Sequence, residues 1–216
     1  MKPYYQAGGQ TIYHGDCREV LPLLDSVDLV LTDPPYGMKW DVDSTRFSGG
    51  ADSSVHRRGE GRSEHSPIIG DDKPFNPLPW LEFPKVILFG CNHFARSLPI
   101  GTTLVWIKRF DQAFGSFLSD AEMAWMKGGH GVYCFRDVSM TATSKTRKHP
   151  AQKPVPLFKW CIEKAKGKGL ILDPFMGSGT TLRAAKDLGR EAIGIELEER
   201  YCEIAANRLR QEVLPL

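Results

Sequence analysis

Two kinds of hydrophobic pattern alternate along the 216-residue chain. Short apolar runs rich in β-branched residues are typical of buried strands, and apolar residues at helical spacing are typical of amphipathic helices. The predicted strands cover residues 10–13, 27–32, 85–91, 102–108, 169–172 and 191–196, with a weaker candidate at 120–127. The predicted helices cover residues 18–24, 154–166, 180–188 and 198–212. Strands that alternate with helices favour an α/β fold in which helices cover both faces of a mostly parallel sheet.

Two long segments lack any hydrophobic period. Residues 39–79 are dominated by Gly, Ser, His, Arg, Asp and Pro, and residues 128–153 are rich in Thr, Ser, Lys and Arg. Loops of this length inside a compact domain are usually functional or disordered. We therefore predict a single domain over residues 1–216, with irregular insertions near residues 39–75 and 128–150.

The overall composition is ordinary. A hydrophobic fraction of 41% and a charged fraction of 25% are those of a globular protein. A net charge of +2 neither requires nor excludes a nucleic-acid partner, so any surface that binds one would have to be local. No apolar run approaches the roughly 20 residues that span a bilayer.

The cysteines and histidines argue against disulfides and metal sites. The five cysteines form no C-x-x-C pair, their number is odd, and the first residues do not look like a signal peptide. These features predict reduced thiols in a cytoplasmic protein. The histidines lack metal-ligand spacing, so we expect no structural zinc.

A glycine turn lies in the motif D-P-F-M-G-S-G-T-T at residues 173–181, directly after the predicted strand at 169–172. Gly177 and Gly179 let the backbone turn sharply and approach a ligand closely. Thr180 and Thr181 begin a helix, whose free amides favour an anionic group. Glu196 ends the next strand, roughly 20 residues beyond the turn, where a carboxylate suits a ribose diol. The spacing fits neither a nicotinamide fingerprint nor a phosphate-cradling loop, and it predicts a nucleoside-containing cofactor.

A second motif, Asp33-Pro34-Pro35-Tyr36, follows the strong strand at 27–32. The two prolines fix φ and remove two amide donors, so that backbone carbonyls are left as acceptors beside the Asp33 carboxylate. Tyr36 offers a flat face. This array suits a planar group with an exocyclic NH2, such as a nucleobase, which would have to be flipped out of a duplex to reach it.

Together these motifs resemble those of the amino-directed, S-adenosylmethionine-dependent DNA methyltransferases whose catalytic motif comes first (the beta arrangement). The chain looks most like the small adenine methyltransferases of phages and prophages. The resemblance covers nearly the whole chain, in segments 15–17, 33–36, 89–94, 105–108, 149–154, 173–181 and 193–196, followed by Tyr201. A catalytic motif near the start and a cofactor loop near the end are an order specific to this arrangement.

The resemblance implies a Rossmann-like class I methyltransferase fold with permuted motif order, built on a seven-stranded, mostly parallel sheet with one antiparallel strand. It implies S-adenosylmethionine as the methyl donor and double-stranded DNA as the substrate. The catalytic residues implied are Asp33, Pro34 and Tyr36. The cofactor-binding residues are Asp16, Cys17, Asp33, Lys153, Asp173, Phe175, Gly177, Ser178, Gly179, Thr180, Thr181 and Glu196.

Two basic regions are candidates for contacting DNA phosphates. Residues 39–75 carry several arginines, but their acidic neighbours largely balance them. Residues 136–149 carry basic residues with a single opposing aspartate, and they are the better candidate. The predicted DNA-contacting residues are Arg57, Arg58, Arg136, Lys145, Arg147 and Lys148.

The expected mechanism starts from a poor nucleophile, because the lone pair of an aromatic exocyclic amine is delocalised into the ring. We expect Asp33 and the Pro34 carbonyl to accept the two amine hydrogens and Tyr36 to stack on the base. A positively charged cofactor should keep Asp33 ionised. Lys153 is expected either to meet the cofactor carboxylate or to be a solvated lysine, and His93 is expected to be structural.

Several alternatives stay open at this point. In this family, enzymes with aspartate at the first motif position usually methylate adenine, and those with serine usually methylate cytosine. Asp33 therefore favours adenine N6 over cytosine N4. Methylation of RNA or of a protein glutamine amide, and a non-catalytic DNA-binding protein with this fold, are further alternatives. The sequence identifies neither the recognition site nor a nuclease partner, and a homodimer is implied by the resemblance only.

Overall fold

A computed structural model describes residues 1–38, 69–115, 119–139 and 152–211 of the chain. Its strands are β1 (Tyr5–Ala7), β2 (Gln10–His14), β3 (Leu29–Thr32), β4 (Lys85–Phe89), β5 (Gly101–Ile107), β6 (Ala121–Arg136), β7 (Ile171–Asp173) and β8 (Ala192–Glu196). Its α-helices are α1 (Cys17–Val20), α2 (Val155–Ala165), α3 (Thr180–Asp187) and α4 (Glu199–Arg210). Short 3-10 helices lie at Leu21–Leu23, Leu78–Glu82, Cys91–His93, Ala95–Ser97 and Asp111–Ala113.

The described strands form one sheet in the order β1-β2-β8-β7-β3-β4-β6-β5. Its centre, from β2 to β4, is parallel, with Leu29 opposite both Ile171 of β7 and Lys85 of β4. The carboxyl ends of these strands therefore lie at the same edge of the sheet, which is where open α/β sheets bind ligands. The turns that follow β3, β7 and β8 all begin at this edge.

Alternate residues of the central strands face opposite layers. Leu29 and Leu31 of β3 belong to the apolar cluster formed with α2, α3 and α4. Val30, between them, belongs to a second cluster with Val20 of α1 and with Trp80. Because both faces of the sheet are covered, its strands are almost purely apolar, as parallel strands usually are. The predicted α/β fold is confirmed.

Strand β6 is longer than the weak candidate at 120–127. Residues 121–127 run antiparallel to β5, and part of this segment also pairs with β4. The chain turns at Gly128 and Gly129, whose φ angles are 83° and 68°. Residues 132–136 then run parallel to β5, so that Ile107 has one β6 partner on each side.

Two sequence-based expectations are wrong here. Residues 128–136 belong to β6 and are not an irregular insertion, because the run Val132–Tyr133–Cys134–Phe135 is rich in residues that favour strands. The described sheet also has eight strands, one more than expected. The additional strand, β1, is three residues long and pairs antiparallel with β2 at the sheet edge. Among the described residues, no helix has the length and apolar character needed to cross a membrane.

Candidate active site

A cavity of about 630 Å³ opens at the carboxyl ends of the central strands. Asp33 and Tyr36 line it from the turn after β3, and Glu196 lines it from the end of β8. Phe175 and Gly177 line it from the loop after β7. The volume lies within the range of small-molecule sites. The two sequence motifs thus meet at one site, although they lie far apart in the chain.

One wall of this cavity is aromatic. Trp80 meets Phe175 edge-on, with ring centroids 5.6 Å apart, and Phe75 meets Phe175 edge-on at 6.0 Å. Phe75 lies within the segment that sequence analysis treated as irregular. This part of the chain returns to the sheet and forms an apolar surface suited to a flat ring.

The Tyr36 ring is held by two neighbours. The His93 ring stacks on it with centroids 4.4 Å apart and planes 6° apart. Gly90, with φ of 69°, comes so close that a Cβ there would lie 2.3 Å from Tyr36 Cε1. His93 therefore covers one face of the Tyr36 ring.

The turn is also fixed on its far side by Asp71, a buried carboxylate outside the sequence motifs. Asp71 Oδ1 accepts hydrogen bonds from the backbone N–H groups of Gly37 (2.9 Å) and Met38 (3.1 Å). Gly37 has a φ of 85°, and a Cβ there would lie 2.7 Å from the Lys73 carbonyl oxygen. The local conformation therefore requires glycine directly after Tyr36.

A line of four charged side chains crosses the site. The Lys153 ammonium forms an ion pair with Asp33 Oδ2 and a second with Glu122 Oε2 at 3.2 Å. Glu122 Oε1 accepts a hydrogen bond from Lys108 Nζ at 2.7 Å. Lys153 is 7% exposed, which rules out the solvated lysine that was one of the two expectations. Its ammonium contacts two carboxylates of the chain.

The two oxygens of the Asp33 carboxylate differ. Oδ2 is paired with Lys153, whereas Oδ1 is buried and has no hydrogen-bond partner among the described residues. Burial raises the pKa of Asp33, and the charge of Lys153 opposes that rise. Unsatisfied buried acceptors are rare and mark places where a ligand can donate a hydrogen bond.

The charges of Glu122 and Lys153 stabilise each other. Burial alone would raise the pKa of Glu122, but Lys153 and Lys108 outweigh it and hold that pKa at about 2. Burial alone would lower the pKa of Lys153, but Asp33 and Glu122 outweigh it and raise that pKa. Glu122 and Lys153 are therefore charged at neutral pH.

Glu196 connects the glycine turn to the start of α4. Its Oε2 accepts from Gly177 N–H at 2.9 Å, and its Oε1 accepts from Glu198 N–H at 2.8 Å. Burial raises the pKa of Glu196, and these N–H groups oppose the rise. Each carboxylate oxygen keeps a second acceptor position, so the residue can still bind two hydroxyl groups.

Asp173 is turned into the protein. Its carboxylate accepts from the hydroxyls of Thr32 (2.7 Å) and Thr181 and from the N–H of Phe175 (3.2 Å). Burial raises the pKa of Asp173 to about 6. Asp173 is the first residue of the loop at 173–181, and it thus holds the last residue, Thr181, close to it. It was predicted to bind cofactor, but it lines only a smaller cavity of about 50 Å³.

The remainder of the glycine turn is supported from α4. Arg208 Nη1 donates to the carbonyl oxygen of Ser178 at 2.6 Å and to its hydroxyl at 3.1 Å. Thr180 Oγ1 donates to the carbonyl oxygen of Lys153 at 3.3 Å. Gly179 has a φ of 76°, and a Cβ there would lie 2.7 Å from the Cβ of Ala205. These contacts fix both the shape of the turn and its position beside Lys153.

Asp16 and Cys17 line the opposite end of the cavity. Asp16 caps α1, since Oδ1 accepts from Arg18 N–H at 2.9 Å, and it also forms an ion pair with the Arg18 guanidinium. Burial raises the pKa of the Cys17 thiol to about 11, so the residue carries no thiolate at neutral pH. Its backbone, not its sulfur, is the group available for polar contacts.

Only one of the predicted DNA-contacting residues can be described. Arg136, at the end of β6, is paired with Asp111 at 2.7 Å and lies over the Phe114 ring at 5.8 Å. The others, Arg57, Arg58, Lys145, Arg147 and Lys148, lie outside the described residues.

Four residues of the site were not predicted from the sequence: Glu122, Asp71, Phe75 and Trp80. Lys108 had no predicted role. A charged residue at the border of an apolar strand was the available indication for Lys108 and Glu122, but surface residues share that pattern. Asp71 stands in a segment without any hydrophobic period, where nothing distinguishes it from other aspartates.

Comparison with known proteins identifies similar chains. Residues 102–207, just under half of the chain, match the family described as DNA methylase. The chain is 27% identical over 252 residues to the type II methyltransferase M2.LlaDCHI of Lactococcus lactis subsp. cremoris, covering 97% of this chain and 93% of that protein. It is 26% identical over 258 residues to M2.DpnII of Streptococcus pneumoniae, covering 98% and 93%.

Solved structures are similar in fold. The M1.HpyAVI–SAM complex matches with a TM-score of 0.58 and 21% identity, covering 94% of this chain and all of that one. The cytosine-N4-specific PvuII DNA methyltransferase matches with a TM-score of 0.61 and 16% identity, covering 99% and 91%. The matched family is described as DNA methylase and the curated relatives are type II methyltransferases, so DNA methylation is the function that these similarities favour. They do not separate adenine N6 from cytosine N4.

Proposed function

We propose that this chain, as a DNA methyltransferase of the N6/N4 class, transfers a methyl group from S-adenosylmethionine to the exocyclic N6 amine of adenine in double-stranded DNA. The observation that carries the proposal is that Asp33 lines a cavity that extends to Glu196, while its buried Oδ1 has no hydrogen-bond partner among the described residues. An amine hydrogen of the target base would satisfy an acceptor that has no partner in the described part of the chain.

The residues around the cavity fit this cofactor. Glu196 keeps acceptor positions for two ribose hydroxyls, and the aromatic wall offers a flat apolar surface for an adenine ring. We assign cofactor binding to Asp16, Cys17, Asp33, Lys153, Asp173, Phe175, Gly177, Ser178, Gly179, Thr180, Thr181 and Glu196, with Asp173 and Ser178 acting through the loop that they hold. When bound, S-adenosylmethionine supplies an electrophilic methyl group on a positively charged sulfur.

Asp33 has two tasks in the proposed reaction. Its free oxygen accepts a hydrogen of the target amine, together with the Pro34 carbonyl, and so favours a nitrogen whose lone pair is available. As the amine nitrogen bonds to the methyl carbon, the sulfur–methyl bond would break with its electron pair left on sulfur. The nitrogen must also lose a proton, which Asp33 is positioned to accept. Because burial raises its pKa, this carboxylate is a better proton acceptor than an exposed aspartate.

Tyr36 binds the base by stacking. Only the face that His93 does not cover is available for this purpose. A base inside a duplex cannot reach the cavity, so the target must be flipped out of the stack. Burial and the charge of Asp33 raise the pKa of Tyr36, which therefore stays a neutral phenol.

The choice of adenine rests on Asp33 as the first residue of the catalytic motif, and cytosine N4 is the competing substrate. Double-stranded DNA is expected to contact Arg136 and the basic residues Arg57, Arg58, Lys145, Arg147 and Lys148. A phage or prophage origin, a homodimer and a nuclease partner in a restriction-modification system stay predictions.

The test is direct. Purified protein is incubated with S-adenosylmethionine and unmethylated genomic DNA, which is then digested to nucleosides and analysed by mass spectrometry, with Asp33→Ala as the control. N6-methyladenine that is absent from the control supports the proposal. N4-methylcytosine would transfer the assignment to cytosine. No methylated base, from protein that demonstrably binds the cofactor, would contradict a DNA-methylating activity.

A further inference from the structure

Lys108, Glu122 and Lys153 form a line of alternating charge, called here the charged wall, that ends at Asp33. All four side chains line the same cavity. They come from four places in the chain: the turn after β3, the residue after β5, the start of β6 and the segment before α2. The wall therefore does not arise from one local motif.

Stability alone is a weak reason for such an arrangement. Removing charges from water is costly, and buried ion pairs recover that cost only in favourable geometry. The Lys153 side chain is 8% exposed, yet it is placed between two carboxylates. Charged groups that are buried together in a cleft are instead typical of functional sites.

The charges of the wall balance those of Asp33. Together with Asp33 the wall has two lysines and two carboxylates, so its net charge is zero. Each charge contacts the next one, so removing one charge changes the electrostatic potential at its neighbour. Lys153 pairs with Oδ2, and Oδ1 has no hydrogen-bond partner within the described ranges. The negative charge of Glu122 offsets part of the effect of Lys153 on Asp33. The positive charge of Lys108 in turn offsets part of the charge of Glu122.

We propose that the charged wall is part of the catalytic apparatus: Lys153, Glu122 and Lys108 are positioning residues that fix the Asp33 rotamer and set its charge for receiving the amine proton. This inference rests on the proposed function and adds Glu122 and Lys108 to the site. Asp33 also faces His93 after β4, Asp173 at the end of β7, and Tyr36 on its own turn.

The inference predicts opposite effects from two single substitutions. Glu122→Gln keeps the shape of the side chain but removes a negative charge, so ionisation of Asp33 becomes easier and its titration midpoint falls. Lys153→Met removes a positive charge, so the midpoint rises. Lys108→Met leaves Glu122 less neutralised and should also raise it. Neighbouring charges produce changes of about one pH unit or more in such settings.

The midpoint can be read without turnover. Carboxyl carbon NMR of ¹³C-labelled protein, with Asp33→Asn to identify the signal, gives the Asp33 titration in each variant. The acid limb of kcat/KM against pH, at saturating cofactor, should move in the same directions. Glu122→Gln should also lower kcat about tenfold or more, because misplacement of a reacting group is costly, while cofactor affinity stays within about threefold.

Exposed residues of the same types provide the controls: Glu203→Gln and Lys168→Met should match wild type in every readout. If Lys153→Met does not fold, Lys108→Met supplies the upward shift. Equal midpoints in Glu122→Gln and wild type, or shifts of the same sign in the glutamate and lysine variants, overturn the inference. A wild-type protein that methylates no base overturns the proposed function instead, and the NMR titration still decides whether the wall controls Asp33.

Discussion

Lys153 Nζ forms an ion pair with Asp33 Oδ2 although the two side chains are only 8% and 15% exposed. A positively charged cofactor was expected to keep Asp33 ionised. The chain itself places a cation there. Lys153 is shared with Glu122, and of the two Asp33 oxygens only Oδ2 has a partner in the part of the chain that the structure describes.

Substitution of Asp33 should separate chemistry from cofactor binding. Asp33→Ala removes the acceptor of the amine hydrogen, and we expect turnover to fall by about 10²–10³-fold or more, by analogy with the loss of one preorganised stabilising group. Asp33 is one of twelve residues assigned to cofactor binding, and the others, including Glu196 and the glycine turn, are untouched, so cofactor affinity measured by calorimetry should stay within a few-fold. The exposed Asp72→Ala serves as the control. Comparable turnover by Asp33→Ala and wild type would exclude Asp33 as the catalytic residue.

Gly179→Ala should lower the stability of the protein and its cofactor affinity by more than the strained backbone angle alone would cause. Its φ of 76° is strained for alanine, and the new Cβ would lie 2.7 Å from Ala205 Cβ. Gly189 provides a matched control, since its φ is 64° and a Cβ there meets nothing within 4 Å. We expect Gly189→Ala to cost about 1 kcal/mol, and Gly179→Ala to cost more and to weaken cofactor binding. Equal melting temperatures and cofactor affinities in the two variants would contradict the steric argument.

Asp173 should make the folded protein less stable as pH rises through the weakly acidic range. Its folded pKa of about 6 lies above the usual value of 3.8, so between these values the folded state binds more protons than the unfolded state. Stability contributed by the protonated form is therefore lost as pH rises from about 4 to about 6, by roughly 3 kcal/mol.

Urea unfolding of wild type and Asp173→Asn at several pH values tests this linkage. The variant cannot ionise at position 173, so its free energy of unfolding should lose this component of the pH dependence. Identical pH profiles for the two proteins would show that Asp173 titrates normally in the folded state.

His93→Ala should weaken the Tyr36 stacking platform without removing it. A stacked aromatic pair contributes about 0.5–1.5 kcal/mol beyond its buried area, which corresponds to a few-fold loss in kcat/KM for DNA. Cofactor affinity should not change, because His93 does not line the cavity. The exposed His130→Ala is the control. If His93→Ala abolishes turnover entirely, His93 has a chemical role beyond supporting Tyr36.

The motifs next to strong strands were predictable from sequence, whereas the contacts between distant segments were not. Asp33 and Glu196 each follow an apolar run, and the parallel order of β3, β7 and β8 brings them to the same edge. Glu122 joins the site only because the first half of β6 pairs with β4, and the local sequence pattern around Glu122 does not specify that pairing. The strand at residues 132–136 was not predicted for a local reason: the glycines and charged residues around it interrupt the strand pattern.

Arg136 offers the one test of DNA contact within the described residues. Its side chain is 48% exposed, and its ion pair with the 73% exposed Asp111 is a surface pair that contributes little to stability. If Arg136 contacts a phosphate, Arg136→Ala should lower DNA affinity and reduce the slope of log affinity against log salt by about one. Asp111→Ala frees the guanidinium from its competing carboxylate and should raise DNA affinity. Fluorescence anisotropy with one duplex at several salt concentrations measures both. A salt slope that is unchanged in Arg136→Ala would place the phosphate contacts elsewhere in the chain.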